Sequence, residues 1–339
     1  MSDVALVGKI GALLSKLIGE KEFEDILSQE SVNSIAVYLR ENTVYSFFIP
    51  NMEDIHRRDL EAAINRRFYY ELKRLENYLT YPKKKIVELV IERCKIETAK
   101  KLLRSAILGE SVEERFLACE MGFDKDVLSL SSVEEVLEIF KEEPLHSVLK
   151  SAVSSYKETG SIGGMENFLD FWYFSTLNKI LKLFSTRGVL IFFKKQVDLI
   201  NAMWVYRARV IFRYTPERAV SLTLPFGYHL KRSDLKRLAE VSSREEFFKI
   251  MEGTPYGEVF RERGDLPEEY LLERRMDRFL YREAKKLVRS RNGFDKLVGF
   301  MHLLEYEMKD LVTAIELVRY KAPLERARSY LIRGGMLNA

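Results

Sequence analysis

The chain has little of what breaks helices. Its 339 residues include 17 glycines and 8 prolines, both below average usage of roughly 7% and 5%. Too few turn-formers remain for a many-stranded sandwich or barrel, and helix is favoured. Cysteine is scarcer still. Cys94 and Cys119 are the only two, too few for a disulfide framework, so a reducing cytoplasm is the expected setting. Long apolar runs are missing as well: the longest uninterrupted stretches, such as Val189–Phe193, fall far short of the roughly 20 residues a spanning helix needs. Met1 to Leu14 lacks a basic segment followed by a cleavage site, which argues against secretion. Glutamine occurs only at Gln29 and Gln196 beside abundant Lys, Arg and Glu, a composition that leans towards a thermophile.

Hydrophobic residues make up 47% and charged residues 31% of the chain, which excludes wholesale disorder. The length suits about two ordinary domains, one elongated domain or a repeat array. The net charge is only +4, but it is unevenly spread. Residues 110–150 hold 11 acidic and 4 basic side chains, and residues 182–237 hold 12 basic and 3 acidic. Such separation suits either docking onto oppositely charged surfaces or solvated helix faces.

Internal repetition organises the rest. Ser131-Ser132-Val133-Glu134-Glu135-Val136 slides by 111 residues onto Ser242-Ser243-Arg244-Glu245-Glu246-Phe247, carrying Pro144 onto Pro255. Met121-Gly122-Phe123 answers Phe226-Gly227-Tyr228 upstream. A fainter copy aligns Ser31-Val32 with Ser132-Val133 and sets Thr43 in the place of Pro144. Ser-x-x-Glu is a capping box, in which hydroxyl and carboxylate satisfy the first amides of a helix. A long amphipathic helix follows in each copy: Leu60–Tyr69 matches Leu272–Tyr281, and Met165–Asp170 begins the middle one. The Phe171-Trp172-Tyr173-Phe174 cluster reads as core at helical spacing rather than as a ligand platform. A second long helix closes each copy, over Ile86–Gly109, Val189–Phe212 and Leu297–Lys321, with Arg104, Arg207 and Arg319 at equivalent places. Leu297, Met301, Leu304, Met308, Leu311 and Ile315 form the apolar stripe of the last one. Breakers fall at Gly109, 157–164, Pro216 and Gly264-Asp265-Leu266-Pro267. The expected fold is all-α, with three similar helical units at 1–112, 113–215 and 216–339.

No catalytic constellation emerges. His56, His146, His229 and His302 are far apart in sequence, and with two cysteines a zinc site is not expected. Neither a phosphate-binding glycine loop nor a dinucleotide fingerprint is present; Gly163-Gly164 and Gly334-Gly335 read as loop and tail. His56-Arg57-Arg58-Asp59 echoes a kinase catalytic loop with one arginine too many, and it opens a helix. Cys94, between Arg93 and Lys95, reads as a structural thiol. The chain looks like a binding or assembly protein with no cofactor or metal. Polar residues inside the third helices are the exception. Asp198, Asn201 and Arg209 lie within about 60° of one another on a helix, and Asp310, Thr313 and Lys321 repeat the pattern; the first unit offers Lys95 and Thr98. Either a solvated, salt-bridged face or the lining of a polar cavity follows.

Several segments resemble a known family. Tyr306-Glu307-Met308-Lys309-Asp310-Leu311-Val312-Thr313 with Arg319-Tyr320, then Arg328-Ser329-Tyr330-Leu331-Ile332, together with Val197-Asp198-Leu199-Ile200-Asn201 leading to Arg207-Ala208-Arg209 and with Thr43-Val44-Tyr45, are similar to the C subunit of the archaeal/vacuolar-type rotary ATPases, the equivalent of the d subunit in the eukaryotic vacuolar enzymes. The opening segment departs from the family: Val4 to Ile18 keeps an apolar pattern and Lys9 but lacks the usual asparagine and arginines. The resemblance implies a pseudo-threefold funnel of helical units between the central stalk and the membrane rotor ring of a proton- or sodium-translocating ATPase. It would be a peripheral protein on the cytoplasmic face, one copy per complex, transmitting torque and catalysing nothing. Asp198, Asn201, Arg209, Asp310, Thr313 and Lys321 would then line the cavity that receives the stalk. The alternative is a basic all-helical nucleic-acid-binding or scaffold protein, with phosphate contacts from Lys194, Lys195, Arg207, Arg209, Arg213, Lys231 and Arg232.

Overall fold

A computed structural model describes residues 3–51, 53–110, 130, 132–261 and 268–333. Cys119, Met121-Gly122-Phe123, Gly264–Pro267 and Gly334-Gly335 lie outside the described residues. Among those described there are sixteen α-helices and no strand, so the fold is all-α. After α1 (Asp3–Leu14) come α2 (Glu20–Leu27) and α3 (Val32–Asn42), then the long α4 (Arg57–Glu76) and α5 (Lys83–Leu108). The order recurs with α6 (Val133–Ile139) and α7 (His146–Thr159) before α8 (Ile162–Phe184) and α9 (Arg187–Tyr206). It recurs again with α10 (Pro216–Ser221), α11 (Arg232–Glu240), α12 (Arg244–Glu252) and α13 (Gly257–Phe260) before α14 (Glu268–Val288) and α15 (Gly293–Arg319); α16 (Leu324–Tyr330) follows.

By packing, the chain forms two compact units. One comprises Ser15–Ile180 with Glu307–Ala327, and the other Ser2–Leu14, Leu181–Tyr306 and Arg328–Ala339. The long α15 contributes residues to both.

The three capping serines do what their spacing dictates. Ser31 Oγ accepts from Ser34 N at 3.1 Å, Ser132 Oγ from Glu135 N at 3.2 Å and Ser243 Oγ from Glu246 N at 3.3 Å. At Ser132 the box is reciprocal, since Glu135 accepts from the Ser132 amide. Ser132→Ala should therefore lower stability by about 1 kcal/mol in urea denaturation followed by circular dichroism. An unchanged midpoint would remove the cap from the account of why α6 starts there.

Each capped helix runs into the same tight turn. The carbonyls of Thr43, Glu143 and Thr254 accept from the amides of Ser46, His146 and Gly257 at 3.4, 3.0 and 3.0 Å. Those of Tyr45, Leu145 and Tyr256 then accept from Phe48, Val148 and Val259 at 2.9, 3.0 and 2.9 Å. This register sets Val44 beside Pro144 and Pro255, one residue away from the Thr43–Pro144 alignment expected from sequence. The reason is that the segment from Ser31 to Thr43 is one residue longer than those from Ser132 to Glu143 and from Ser243 to Thr254.

The long helices also end in distinct ways. Gly109, at φ 67°, caps α5 in the left-handed region that a side chain disfavours. The helix expected to reach Phe212 instead stops at Tyr206 and widens into a π-turn over Arg207–Ile211. There Phe212 N donates to Arg207 O at 2.9 Å and Tyr214 N to Ala208 O at 2.8 Å, with Arg213 at φ 55°. In the stripe of α15, Leu297, Met301, Leu304, Leu311 and Ile315 are buried and Met308 is half-buried. Of the aromatic cluster in α8, Tyr173 and Phe174 are core whereas Phe171 is exposed.

Candidate functional site

The polar residues singled out in the third helices do not share one environment. Asp198 and Asn201, on α9, are wholly buried. The Asp198 carboxylate accepts from Tyr228 N at 3.0 Å, His229 N at 2.6 Å and the Tyr256 hydroxyl at 2.6 Å. Burial pushes its pKa up, against the pull of the Tyr256 hydroxyl and the loop amides. The Tyr256 phenol is itself pushed well above its ordinary range by burial and then by the Asp198 charge. One turn on, the Asn201 side chain donates to Leu224 O at 2.8 Å and accepts from Leu224 N at 2.7 Å. These two residues stitch the 224–230 loop to the helix. Asp310, on α15, is buried too, whereas Thr313 is half-buried with its hydroxyl donating to Lys309 O at 2.8 Å. Arg209 is half-buried inside the π-turn and donates to Tyr214 O; Lys321 is exposed, at φ 51°. Solvent thus reaches Arg209, Thr313 and Lys321, and is shut out from Asp198, Asn201 and Asp310.

A third wholly buried carboxylate escapes sequence reading. Glu307, one turn before Asp310, is wholly buried and paired with Arg67, which is 2% exposed. Ile18 N donates to it at 2.5 Å and the Tyr45 hydroxyl at 3.2 Å. Arg67 also donates to Lys16 O at 3.1 Å and stands 4.4 Å above the Tyr45 ring. Burial works against the guanidinium charge, but Tyr45 and Glu307 hold the Arg67 pKa above its ordinary value. The Tyr45 phenol is raised, first by burial and then by Glu307. Tyr45 and Tyr256 occupy the same position in the same turn. Each follows a threonine whose hydroxyl accepts its amide at 3.2 Å. Thr43-Val44-Tyr45 and Thr254-Pro255-Tyr256 were therefore a repeated signal available in the sequence, as was Glu307 amid the apolar stripe of α15.

The middle turn makes the same kind of tie with other chemistry, because Glu143 pairs there with Lys95 of α5. Three ties result: α5 to the turn after α6, α9 to the turn after α12, and α15 to the turn after α3. The order is cyclic. A second set of ties follows it. Arg104 of α5 grips Glu166 of α8 through three contacts of 2.6–2.9 Å, Arg207 pairs with Glu273 of α14, and Glu316 of α15 pairs with Arg57 of α4. Glu166 and Glu273 open the equivalent long helices, so Arg104 and Arg207 meet matching partners, whereas Arg319 pairs with Glu316 of its own helix at 3.3 Å and the third tie is made by Glu316 instead. The exposed pairs add little energy each; the buried tyrosine–carboxylate ties are the costly ones to break.

The basic segment that suggested phosphate binding is largely answered within the fold. Lys195 pairs with Glu283 at 2.7 Å and Arg207 with Glu273, while Arg213 donates to Ser242 O at 2.6 Å and Lys231 to Tyr228 O at 2.6 Å. Among the described residues no group of three or more histidine, cysteine or acidic side chains could hold a metal, and no helix is long and apolar enough to cross a membrane.

The family model described as "ATP synthase (C/AC39) subunit" matches residues 6–330. The chain belongs to this family. Asp198, Asp310, Glu307 and all three turns of this C/AC39 chain lie inside the matched span. It is similar to the A-type ATP synthase C subunit of Methanocaldococcus jannaschii, at 27% identity over 74% of this chain and 65% of that protein, just under two thirds of its length. The A-type ATP synthase C subunits of Methanosphaera stadtmanae and Methanothermobacter thermautotrophicus are similar at 23% and 24% identity, each over 89% of this chain and 80% of theirs. The nucleic-acid reading finds no support among these relatives.

Proposed function

We propose that this C/AC39 chain is the non-catalytic rotor socket of an A-type ATP synthase. In this reading it couples the central stalk to the membrane ring and transmits torque, as one copy per complex on the cytoplasmic face of the membrane. The observation that carries it is the family match over residues 6–330. The cyclic ties support it physically, since a part that transmits torque must not shear between its long helices. In this reading the three helical units 1–112, 113–215 and 216–339 are linked in turn, the last long helix being tied back to the first turn. Within the polar stripe, Arg209, Thr313 and Lys321 are proposed to meet the stalk. Asp198, Asn201 and Asp310 would hold the helices and loop from behind. Stalk residues facing Arg209 and Lys321 would be acidic, and desolvated charge pairs of that kind fix register as well as affinity.

The test is recovery of the tagged chain from detergent-solubilised membranes. Stalk and ring subunits should accompany it, and their absence would end the reading. Lys321→Glu combined with Arg209→Glu should weaken stalk binding by about 2–5 kcal/mol. Lys321→Glu alone should leave the melting of the isolated chain within about 0.5 kcal/mol, because its side chain is exposed. Arg209→Glu should cost about 1 kcal/mol more through the bond to Tyr214 O. Unimpaired stalk binding by the double variant would remove these residues from the interface.

A further inference from the structure

The ends of two helical hairpins meet within the second compact unit. Thr186, in the turn between α8 and α9, donates its hydroxyl to Asp295 Oδ1 at the start of α15. Ser290, in the turn between α14 and α15, donates to Asp295 Oδ2 at 2.7 Å. The helices are close here as well, since a β-carbon on Gly188 would stand 3.2 Å from Leu287 and 3.4 Å from Asp295 Oδ2. One carboxylate thus clasps both turns.

The charge around this clasp is one-sided. Residues 181–191 and 284–296 hold seven basic residues and a single acidic one, Asp295. That carboxylate is buried and gives its two oxygens to the two hydroxyls. Three of the cations are engaged within the chain: Lys286 pairs with Glu283 at 2.5 Å, Lys296 donates to Val288 O at 2.6 Å, and Lys285 lies 5.4 Å from the Tyr281 ring. The other four are not. Lys182, Arg187, Arg289 and Arg291 are exposed, and among the described residues their side chains have no ion-pair or hydrogen-bond partner. Arg187 adjoins Thr186, and Arg289 and Arg291 flank Ser290, so the shared carboxylate gathers these three arginines at one end of the unit. Leu183, next to Lys182, is 71% exposed.

Unanswered cations of one sign call for an anionic partner, and two observations select a phospholipid surface. The cations occupy helix ends and turns, so they offer no continuous stripe for a partner helix to follow, and lipid headgroups need none. An exposed leucine among them adds an apolar side chain to the basic ones, the combination that binds where headgroups meet acyl chains. The equivalent turn of the first copy, between α4 and α5, exposes Tyr81 to 72%, and tyrosine is favoured at headgroup level. We propose that Lys182, Leu183, Arg187, Arg289 and Arg291 form a docking surface for anionic phospholipid headgroups, with Leu183 entering the acyl boundary. This goes beyond the stalk-and-ring reading and does not depend on it, because the surface belongs to the chain alone.

The test is sedimentation of the purified full-length chain with vesicles of phosphatidylglycerol and phosphatidylcholine in equal parts, beside vesicles of phosphatidylcholine alone. The chain should sediment with the first at physiological ionic strength, remain in solution with the second, and be released by added salt. Each basic residue near an anionic surface strengthens binding about fivefold, so Arg289→Gln with Arg291→Gln should weaken it roughly 25-fold. Leu183→Ser should weaken it at least threefold. Both variants should melt within about 2 °C of the parent, since the altered side chains are exposed. Equal binding to neutral vesicles, no binding to anionic ones, or an undiminished double variant would overturn the proposal. An undiminished Leu183→Ser variant would do so too, because the patch would then be a general anion site serving an acidic protein or a nucleic acid. Release by millimolar inorganic phosphate at constant ionic strength would assign the cations to a free anion instead. None of these failures touches the stalk-and-ring reading, which is decided by the subunits that accompany the tagged chain.

Discussion

Arg67→Met should cost the folded chain about 3–5 kcal/mol, and adding Glu307→Leu should return most of that loss. The single change strands a carboxylate that is wholly buried and leaves it only the Ile18 amide and the Tyr45 hydroxyl as donors. The double change removes both charges at once. The native pair is itself imperfect, because the buried Nε of Arg67 has no hydrogen-bond partner. Two apolar side chains of similar volume therefore lose little by comparison. Urea denaturation of the parent, the single and the double variant measures the difference directly. Equal losses in the two variants would mean that the charge pair itself, rather than its stranded half, supplies the stability.

Gly227→Ala should be comparably severe, at about 3 kcal/mol. A β-carbon there would stand 2.1 Å from Asp198 Oδ1 and 2.9 Å from Leu230 O. The carboxylate has nowhere to swing, since two loop amides and the Tyr256 hydroxyl fix it. The same site predicts a pH signature. Burial raises the Asp198 pKa above its unfolded value, so its contribution to stability is full below that value, near pH 4, and is lost as pH rises through the folded pKa. Tyr256→Phe deletes a hydroxyl that favours the charged form, which raises the folded pKa further. The variant should thus lose more stability at pH 7 than at pH 4, by about 1–2 kcal/mol. In an Asp198→Asn background that difference between the two pH values should vanish. A Tyr256→Phe loss that is the same at both pH values would show that Asp198 stays in one charge state throughout.

Much of the architecture was legible because it is written in local chemistry. Serine caps, a scarcity of glycine and proline, and period-3.6 stripes each act over a few residues, and the caps and stripes recur from copy to copy. The early end of α9 was not legible. A π-turn at Arg207–Ile211 leaves no mark in the hydrophobic pattern, because Val210, Ile211 and Phe212 would continue a helix equally well. The candidate site was half legible. Asp198, Asn201 and Asp310 stood out as polar residues on a long helix, but angle alone cannot tell a wet cavity from a dry contact. What closes off Asp198 and Asn201 is a loop and a turn contributed from residues 224–230 and 256. Glu307 and Arg67 went unseen for a related reason. Each looks like an ordinary surface charge until a residue 240 positions away is brought against it.

The cyclic ties also set an order of events during synthesis. Lys95 and Glu143 are 48 residues apart and Asp198 and Tyr256 are 58 apart, but Tyr45 must wait for Glu307, 262 residues later. At roughly 5–20 residues per second the ribosome needs about 13–50 s to supply that partner. During that interval the first turn and Arg67 exist without the carboxylate that fixes them, so the guanidinium must remain hydrated and the first turn unfinished. The oldest part of the nascent chain is therefore the last to mature. A polypeptide truncated before residue 307 lacks the group that completes the first turn, and any quality control that senses an open first turn would in effect be checking that synthesis had passed that residue.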